Sequence, residues 1–293
     1  MTATVKTLDL SNLTTLKVGG PAEVWEVEDE SGLAEATREP YLVIGAGSNL
    51  LISDDGVPER VIKLGRAYND LGAFDGRESL WLGAATPLPG LVRRAQKAGL
   101  SGLEGLLGVP AVLGGAVAMN AGTRFGEMSD TLREVELFVN GGLERVDAGA
   151  LNLRYRHAEL PAGAIVTRAR LELTRSDPNT VQAALDKVDA ARKSQPKSKS
   201  AGCAFKNPSD DAAGRLIDVS GLKGMRVGNA MVSFEHGNFI VNLGGATAND
   251  FLELVGRIQE LVAAQQGREL ELEWRLWNLP RNLPSNPLSA QPR

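Results

Sequence analysis

The chain has a single cysteine, Cys203, and only two histidines. One thiol cannot close an internal disulfide, so nothing in the sequence calls for an oxidising compartment. His157 and His236 stand far apart without metal-type partner spacing, and no metal is expected. No apolar run approaches the ~20 residues that span a bilayer. The longest candidate, Val109 to Met119, is interrupted by Pro110, Gly114 and Gly115. The opening residues, MTATVKTLDLSNLTT, lack the charged-then-apolar run of a secretory signal. Nor does one sign of charge dominate: 32 basic against 36 acidic residues leave a net charge of −4. A phosphate-binding nucleic-acid surface needs clustered cations, so that class is set aside. The expected setting is the cytoplasm.

What is present is an ordinary globular composition, 43% hydrophobic and 23% charged over 293 residues, enough for two domains. From about Thr15 to Leu173 the chain is glycine-rich, with short β-type runs such as EVWEV, YLVIGAG and SLWLGAAT. Ile165 to Leu173 alternates apolar and polar residues from Val166 on, the pattern of a half-buried strand. A helix is expected from Asn179 to Ser194, starting on Asn179-Thr180 and burying Val181, Leu185 and Val188. The basic stretch ARKSQPKSKS then reads as a linker or exposed loop. Further on come a short helix at Ala212 to Val219 and the β-type runs AMVSF and NFIVN. The best-marked helix is Asn249 to Gln266. Thr247 and Asp250 form a capping signal, five apolar residues recur at helical spacing, and Gly267 stops it. Glu269 to Leu276 alternates without a fault, predicting a strand with one charged face. The Pro-rich tail from Leu279 is expected to be disordered.

Three segments are candidates for chemistry. Gly45-Ala46-Gly47-Ser48-Asn49 follows the apolar run YLVI. Its glycines would let backbone N–H groups approach an anion, although a plain tight turn explains the same residues. It is neither a Rossmann fingerprint, lacking the third glycine, nor a P-loop, lacking GK[ST]. Gly99 to Gly126 holds eight glycines in 28 residues, far above the usual ~7%. They are interleaved with Leu, Val and Ala, the mark of a buried loop. Buried loops leave backbone donors in want of partners, which a cofactor with phosphates and a flat ring would supply. The third segment is Ser200 to Pro208, SAGCAFKNP. A lone cysteine is more often a buried small hydrophobe than a catalyst. Gly202, Lys199, Lys206 and Asn207 beside it nevertheless suit an anionic ligand.

Seven segments occur together in order: LTTLKVGGPAE, VIGAGSNLLISDDG, GLEGLLGVPAVLGGAVAMNAG, YRHA, SAGCAFKNP, AGRLIDVSGLKGMRVGNAMVSFEHGNFIVN and LELEWR. Over roughly residues 12 to 277 the chain thereby resembles the UDP-N-acetylenolpyruvoylglucosamine reductases, flavoenzymes of bacterial peptidoglycan precursor synthesis. The resemblance implies an α+β fold. A two-part FAD-binding region of the p-cresol methylhydroxylase type would occupy residues 1–175 and a helix and linker 176–198. An α+β substrate-binding domain would occupy 199–278, ahead of the disordered tail at 279–293.

The resemblance also implies non-covalent FAD, held by Gly45, Ala46, Gly47, Ser48, Asn49 and Leu50 and by residues of the 108–122 segment. Those are Gly108, Val109, Pro110, Gly114, Gly115, Ala116, Asn120, Ala121 and Gly122. NADPH would donate hydride and leave, and UDP-N-acetylglucosamine enolpyruvate would take its place. Arg156 and Glu273 match the family's residues that stabilise charge developing on the substrate carboxylate. Cys203 aligns with the family's usual proton-donating serine. A thiol, with a reference pKa of ~8.5, is mostly protonated at neutral pH and serves as the acid. Lys206 and Asn207, with Lys199 or Lys197, match positions near the nucleotide and phosphates.

The chain departs from the family's pattern at Ala111 (usually glycine), at Thr123-Arg124-Phe125 (a tyrosine is lost) and at Ala158 (often serine). It matches the shorter class, without the inserted tyrosine loop. Two other readings compete: a related FAD-dependent oxidase of small alcohols, and a non-catalytic binder of flavin or sugar nucleotide. SAGCAFKNP and LELEWR weigh against the first. Arg156, Cys203 and Glu273 together weigh against the second.

Overall fold

A computed structural model describes residues 3–280. The described chain is α+β and divides into two compact units. The first takes in the chain through Thr7, Glu23–Ala46 and Glu59–Lys193; the second takes in Leu8–Ala22, Gly47–Pro58 and the chain from Ser194.

In the first unit, Val24 of strand Pro21–Val27 and Leu42 of strand Tyr41–Val43 flank Val61 of Arg60–Leu64, all parallel. Parallel neighbours need a crossover, supplied by helix Glu30–Ala36, whose cap Asp29 accepts from Gly32 N–H at 2.8 Å. A second, antiparallel sheet runs in the order Gly142–Asp147, Leu132–Val139, Ile165–Glu172, Ser79–Gly83. Its apolar side packs Val135, Leu137, Ala169 and Leu171 against helices Leu88–Lys97, Leu113–Ala118 and Pro178–Arg192 in one core.

In the second unit a three-stranded antiparallel sheet, Arg226–Val227, Ala230–Val232 and Ile240–Asn242, shares a core with helices Ala213–Val219 and Ala248–Gln266. The long helix has the expected start: Thr247 and Asp250 form a reciprocal capping box, and Gly267 ends it in the left-handed region at φ 63°. Its Phe251, Leu254, Val255, Ile258 and Val262 are fully buried, each worth about 1.5–3 kcal/mol as an upper bound. Phe251 meets Trp274 edge-on at 5.9 Å.

Four expectations change. Helix Pro178–Arg192 is capped by Asp177, which accepts from Asn179 and Thr180 N–H. Asn179 and Thr180 therefore sit inside the first turn, behind a proline suited to that place. The helix buries Val181 and Leu185 in the first unit's core, as expected. Compactness divides the chain discontinuously, because Leu16, Val18 and Leu51 pack into the second unit's core. The alternating run 269–276 forms a strand only at Arg275–Trp277, parallel to Leu50–Ile52. Finally, Leu279 packs against the second core, and the tail from 281 lies outside the described residues. Among the described helices none is long and apolar enough to cross a membrane.

Candidate active site

The segment around Cys203 is held from both sides without belonging to any sheet strand. On one flank Cys203 bridges Phe239, and Ala204 N–H donates to Asn238 O at 2.8 Å. On the other, Phe205 bridges Leu272. There Glu273 N–H donates to Ala204 O at 2.7 Å, and Lys206 N–H donates to Glu271 O at 2.8 Å. Ala204 and Phe205 are fully buried, while Cys203 stays half-buried.

The same stitching continues beyond Glu273. The Asn49 amide donates to Glu273 O at 3.1 Å, and Arg275 N–H donates to Asn49 O at 3.0 Å. The structure thus brings Cys203, Lys206, Glu273 and Asn49 into one hydrogen-bonded array within the second unit. The charged face predicted for 269–276 fails at Glu273. Its backbone changes partner there, from 204–206 to 49–52, and Oε2 is shielded from solvent, unlike the exposed Glu269 and Glu271. Lys206 pairs with Glu271 at 2.6 Å. Asn207 Oδ1 accepts from Ala213 N–H at 3.0 Å, at the start of helix Ala213–Val219. Lys197 and Lys199 are exposed.

Arg156 lies in the first unit, in a turn closed by Arg154 N–H to His157 O (3.1 Å) and His157 N–H to Arg154 O (2.9 Å). Its φ of 54° is left-handed, a conformation that costs a non-glycine residue on the order of 1–3 kcal/mol and that clusters at functional sites. Its guanidinium lies over the Tyr155 ring, 4.9 Å from the centroid. Asn120 tethers this turn from below. Its amide donates to Arg154 O at 3.2 Å and to Glu127 Oε1 at 2.9 Å, and its Oδ1 accepts from Ser129 N–H at 2.9 Å. Asn120 is completely buried, so its side chain is a brace with no exposed face.

The 108–122 stretch is less open than its composition implies. Val109, Leu113, Gly114, Ala116, Asn120 and Ala121 all donate their N–H groups to carbonyls of the first unit. Six of its residues form the helix Leu113–Ala118. Where room remains is at Gly115, whose added Cβ would meet nothing nearer than Val112 at 4.0 Å. At Gly45–Ser48, by contrast, the N–H groups of Ala46, Gly47 and Ser48 reach no backbone carbonyl among the described residues. Gly47 has φ 61°, and a Cβ there would lie 2.1 Å from Leu13 O. A loop of available donors with an obligatory glycine suits a phosphate-bearing cofactor, so these residues fit FAD. Gly108, at φ 76°, has its carbonyl held by Arg192 at 2.9 Å.

Residues 195–277 match the family model described as the C-terminal domain of UDP-N-acetylenolpyruvoylglucosamine reductase, and residues 17–146 match an FAD binding domain. The Thermus thermophilus reductase of that name is 56% identical over 92% of this chain and 97% of its own length. That of Deinococcus radiodurans is 49% identical over 94% and 96%. A crystal structure of the Thermus caldophilus reductase superposes with a TM-score of 0.87 at 55% identity, covering 94% of this chain and 99% of that one.

The chain belongs to the UDP-N-acetylenolpyruvoylglucosamine reductase family. The reductase C-terminal model takes in Cys203, Lys206, Asn207 and Glu273, and the FAD model takes in Gly45–Ser48 and the 108–122 stretch. Arg156 falls between the two. Within this reductase fold, sequence reasoning missed two residues of the array, Asn238 and Glu271. Asn238 stands just ahead of the apolar run FIV, and a polar residue at a strand entrance was its only signal.

Proposed function

We propose that this protein reduces UDP-N-acetylglucosamine enolpyruvate to UDP-N-acetylmuramate with NADPH through non-covalently bound FAD, a step of peptidoglycan precursor synthesis in the cytoplasm. The observation that carries this reading is full-length similarity to reductases of that name, 56% over nearly the whole of both chains. Bound FAD would supply the two-electron relay between NADPH and substrate. The backbone donors of Ala46, Gly47 and Ser48, with the open side of Gly115, are the groups that would hold it. Lys206 and Asn207, with Lys199, would hold the nucleotide and phosphates. Glu271, 2.6 Å from the Lys206 ammonium, would compete with a phosphate for that cation.

Addition of hydride to the terminal carbon of the enol ether drives negative charge onto the substrate carboxylate. Arg156, fixed in its left-handed turn, and Glu273, with one oxygen shielded from solvent, are the cation and acid assigned to that charge. Cys203 Sγ–H then protonates the neighbouring carbon and recovers its proton from solvent, so one hydride and one proton saturate the double bond. The test is steady-state NADPH consumption by the yellow protein. Consumption that starts only on adding the enolpyruvyl sugar nucleotide, and stops at one NADPH per sugar nucleotide, is the expected result. Consumption driven by oxygen alone would favour an oxidase, and a colourless, NADPH-inert protein would favour a simple binder.

A further inference from the structure

We infer that Asn238 is the positioning residue of the proton-delivering segment, a role that rests on the reductase reading given above. Its side chain grips a single residue at both ends. Phe205 N–H donates to Asn238 Oδ1 at 2.9 Å, and Asn238 Nδ2 donates to Phe205 O at 2.7 Å. Its own carbonyl accepts from Ala204 N–H at 2.8 Å. A side-chain amide thereby performs the two-way pairing that a neighbouring strand would otherwise provide, directly between Cys203 and Lys206.

The grip is dry, since Asn238 is 2% exposed and Ala204 and Phe205 are 0%. No other side chain can replace it isosterically. Aspartate would set a carboxylate oxygen against Phe205 O, and an apolar residue would leave a buried N–H and C=O without partners. Upstream, Ala201 O accepts from Trp274 Nε1 at 3.1 Å, and Gly202, at φ 72°, has nothing within 4 Å of where a Cβ would stand, so the Asn238 grip is the restraint on the far side of Cys203. Downstream, Ala204 O receives Glu273 N–H, so a shift of 204–205 is felt at the proposed acid as well as at the proposed proton donor. A displacement of ~1 Å in such a group costs on the order of 10²-fold in rate.

The experiment compares Asn238→Ala and Asn238→Asp with the unmodified, FAD-loaded protein in two anaerobic half-reactions: loss of yellow colour with NADPH, and its return with the enolpyruvyl sugar nucleotide. Bleaching within about twofold of the parent is expected, with colour return slowed about 10- to 100-fold and a larger solvent deuterium isotope effect on that step alone. Equal slowing of both half-reactions, or unchanged colour return, would overturn the inference. Cys203 is the only cysteine, so its alkylation rate reads the segment's geometry whether or not the protein is a reductase. That rate is expected to rise in both variants as the loosened segment opens more often, and an unchanged rate counts against Asn238. If neither variant folds, amide exchange in the parent decides. Ala204 and Phe205 must be among the slowly exchanging amides, and exchange at loop rates refutes the grip. A parent protein that never regains colour would sink the reductase reading and leave the alkylation result standing.

Discussion

The stretches 108–122 and 203–206 present opposite relations between composition and chemistry. The first is conspicuous in sequence, yet most of its backbone donors are engaged within the first unit and its asparagine is a buried brace. The second barely stands out, yet it is fixed on both flanks by backbone and side-chain hydrogen bonds while its thiol stays half-buried. A dense run of glycines marks close packing as readily as a ligand. A functional side chain is better recognised by how completely its neighbours are restrained, because restraint is what holds a reacting group in place.

The sharpest way to break this contrast is Cys203→Ala. Colour return from the NADPH-bleached protein should slow by about 10²- to 10⁴-fold, the usual scale for a lost general acid. Bleaching itself should be unchanged, and Cys203→Ser should remain active. Equal loss in both half-reactions would make Cys203 structural. Asn120→Ala sharpens the other side. Removing a buried brace that serves Ser129, Glu127 and Arg154 should lower stability by about 1–3 kcal/mol in urea unfolding. FAD affinity falling with stability intact would instead make Asn120 a cofactor ligand.

The smallest effect concerns pH. Burial, aided by the Lys223 charge, holds His236 below the ordinary histidine range, and its Nδ1 accepts the Asn238 N–H at 3.1 Å. A depressed folded-state pKa means the contribution is complete above the unfolded pKa and is lost as pH falls through the folded one. Protonation also removes the acceptor. Tm should therefore fall between about pH 7.5 and pH 5.5, and His236→Gln should lose less over that range. An equal loss in the variant would assign the effect to other groups.

The fold was largely legible because its signals are local. Thr247 with Asp250, the 3.6-residue spacing behind them, and Gly267 mark the long helix without reference to anything distant. Ile165–Glu172 was equally readable from its alternation. The site was less so. The run 269–276 has flawless strand periodicity but exchanges one partner for another at Glu273, and partner choice is a non-local fact that period cannot carry. Asp177 is a cap set apart from the apolar periodicity by Pro178, a residue that is well tolerated in the first turn but is no helix former. Composition alone therefore points to Asn179-Thr180 instead. Asn238 carries only a faint mark in sequence, a polar residue ahead of FIV, since its importance lies in reaching Phe205, 33 residues earlier.

A single turnover decides whether the reduced flavin hands its electrons to the sugar nucleotide. The purified yellow protein is bleached anaerobically with one equivalent of NADPH, and the enolpyruvyl sugar nucleotide is then added. Prompt return of the yellow colour is expected, with one UDP-N-acetylmuramate formed per FAD. Protein that stays bleached until air is admitted would contradict it.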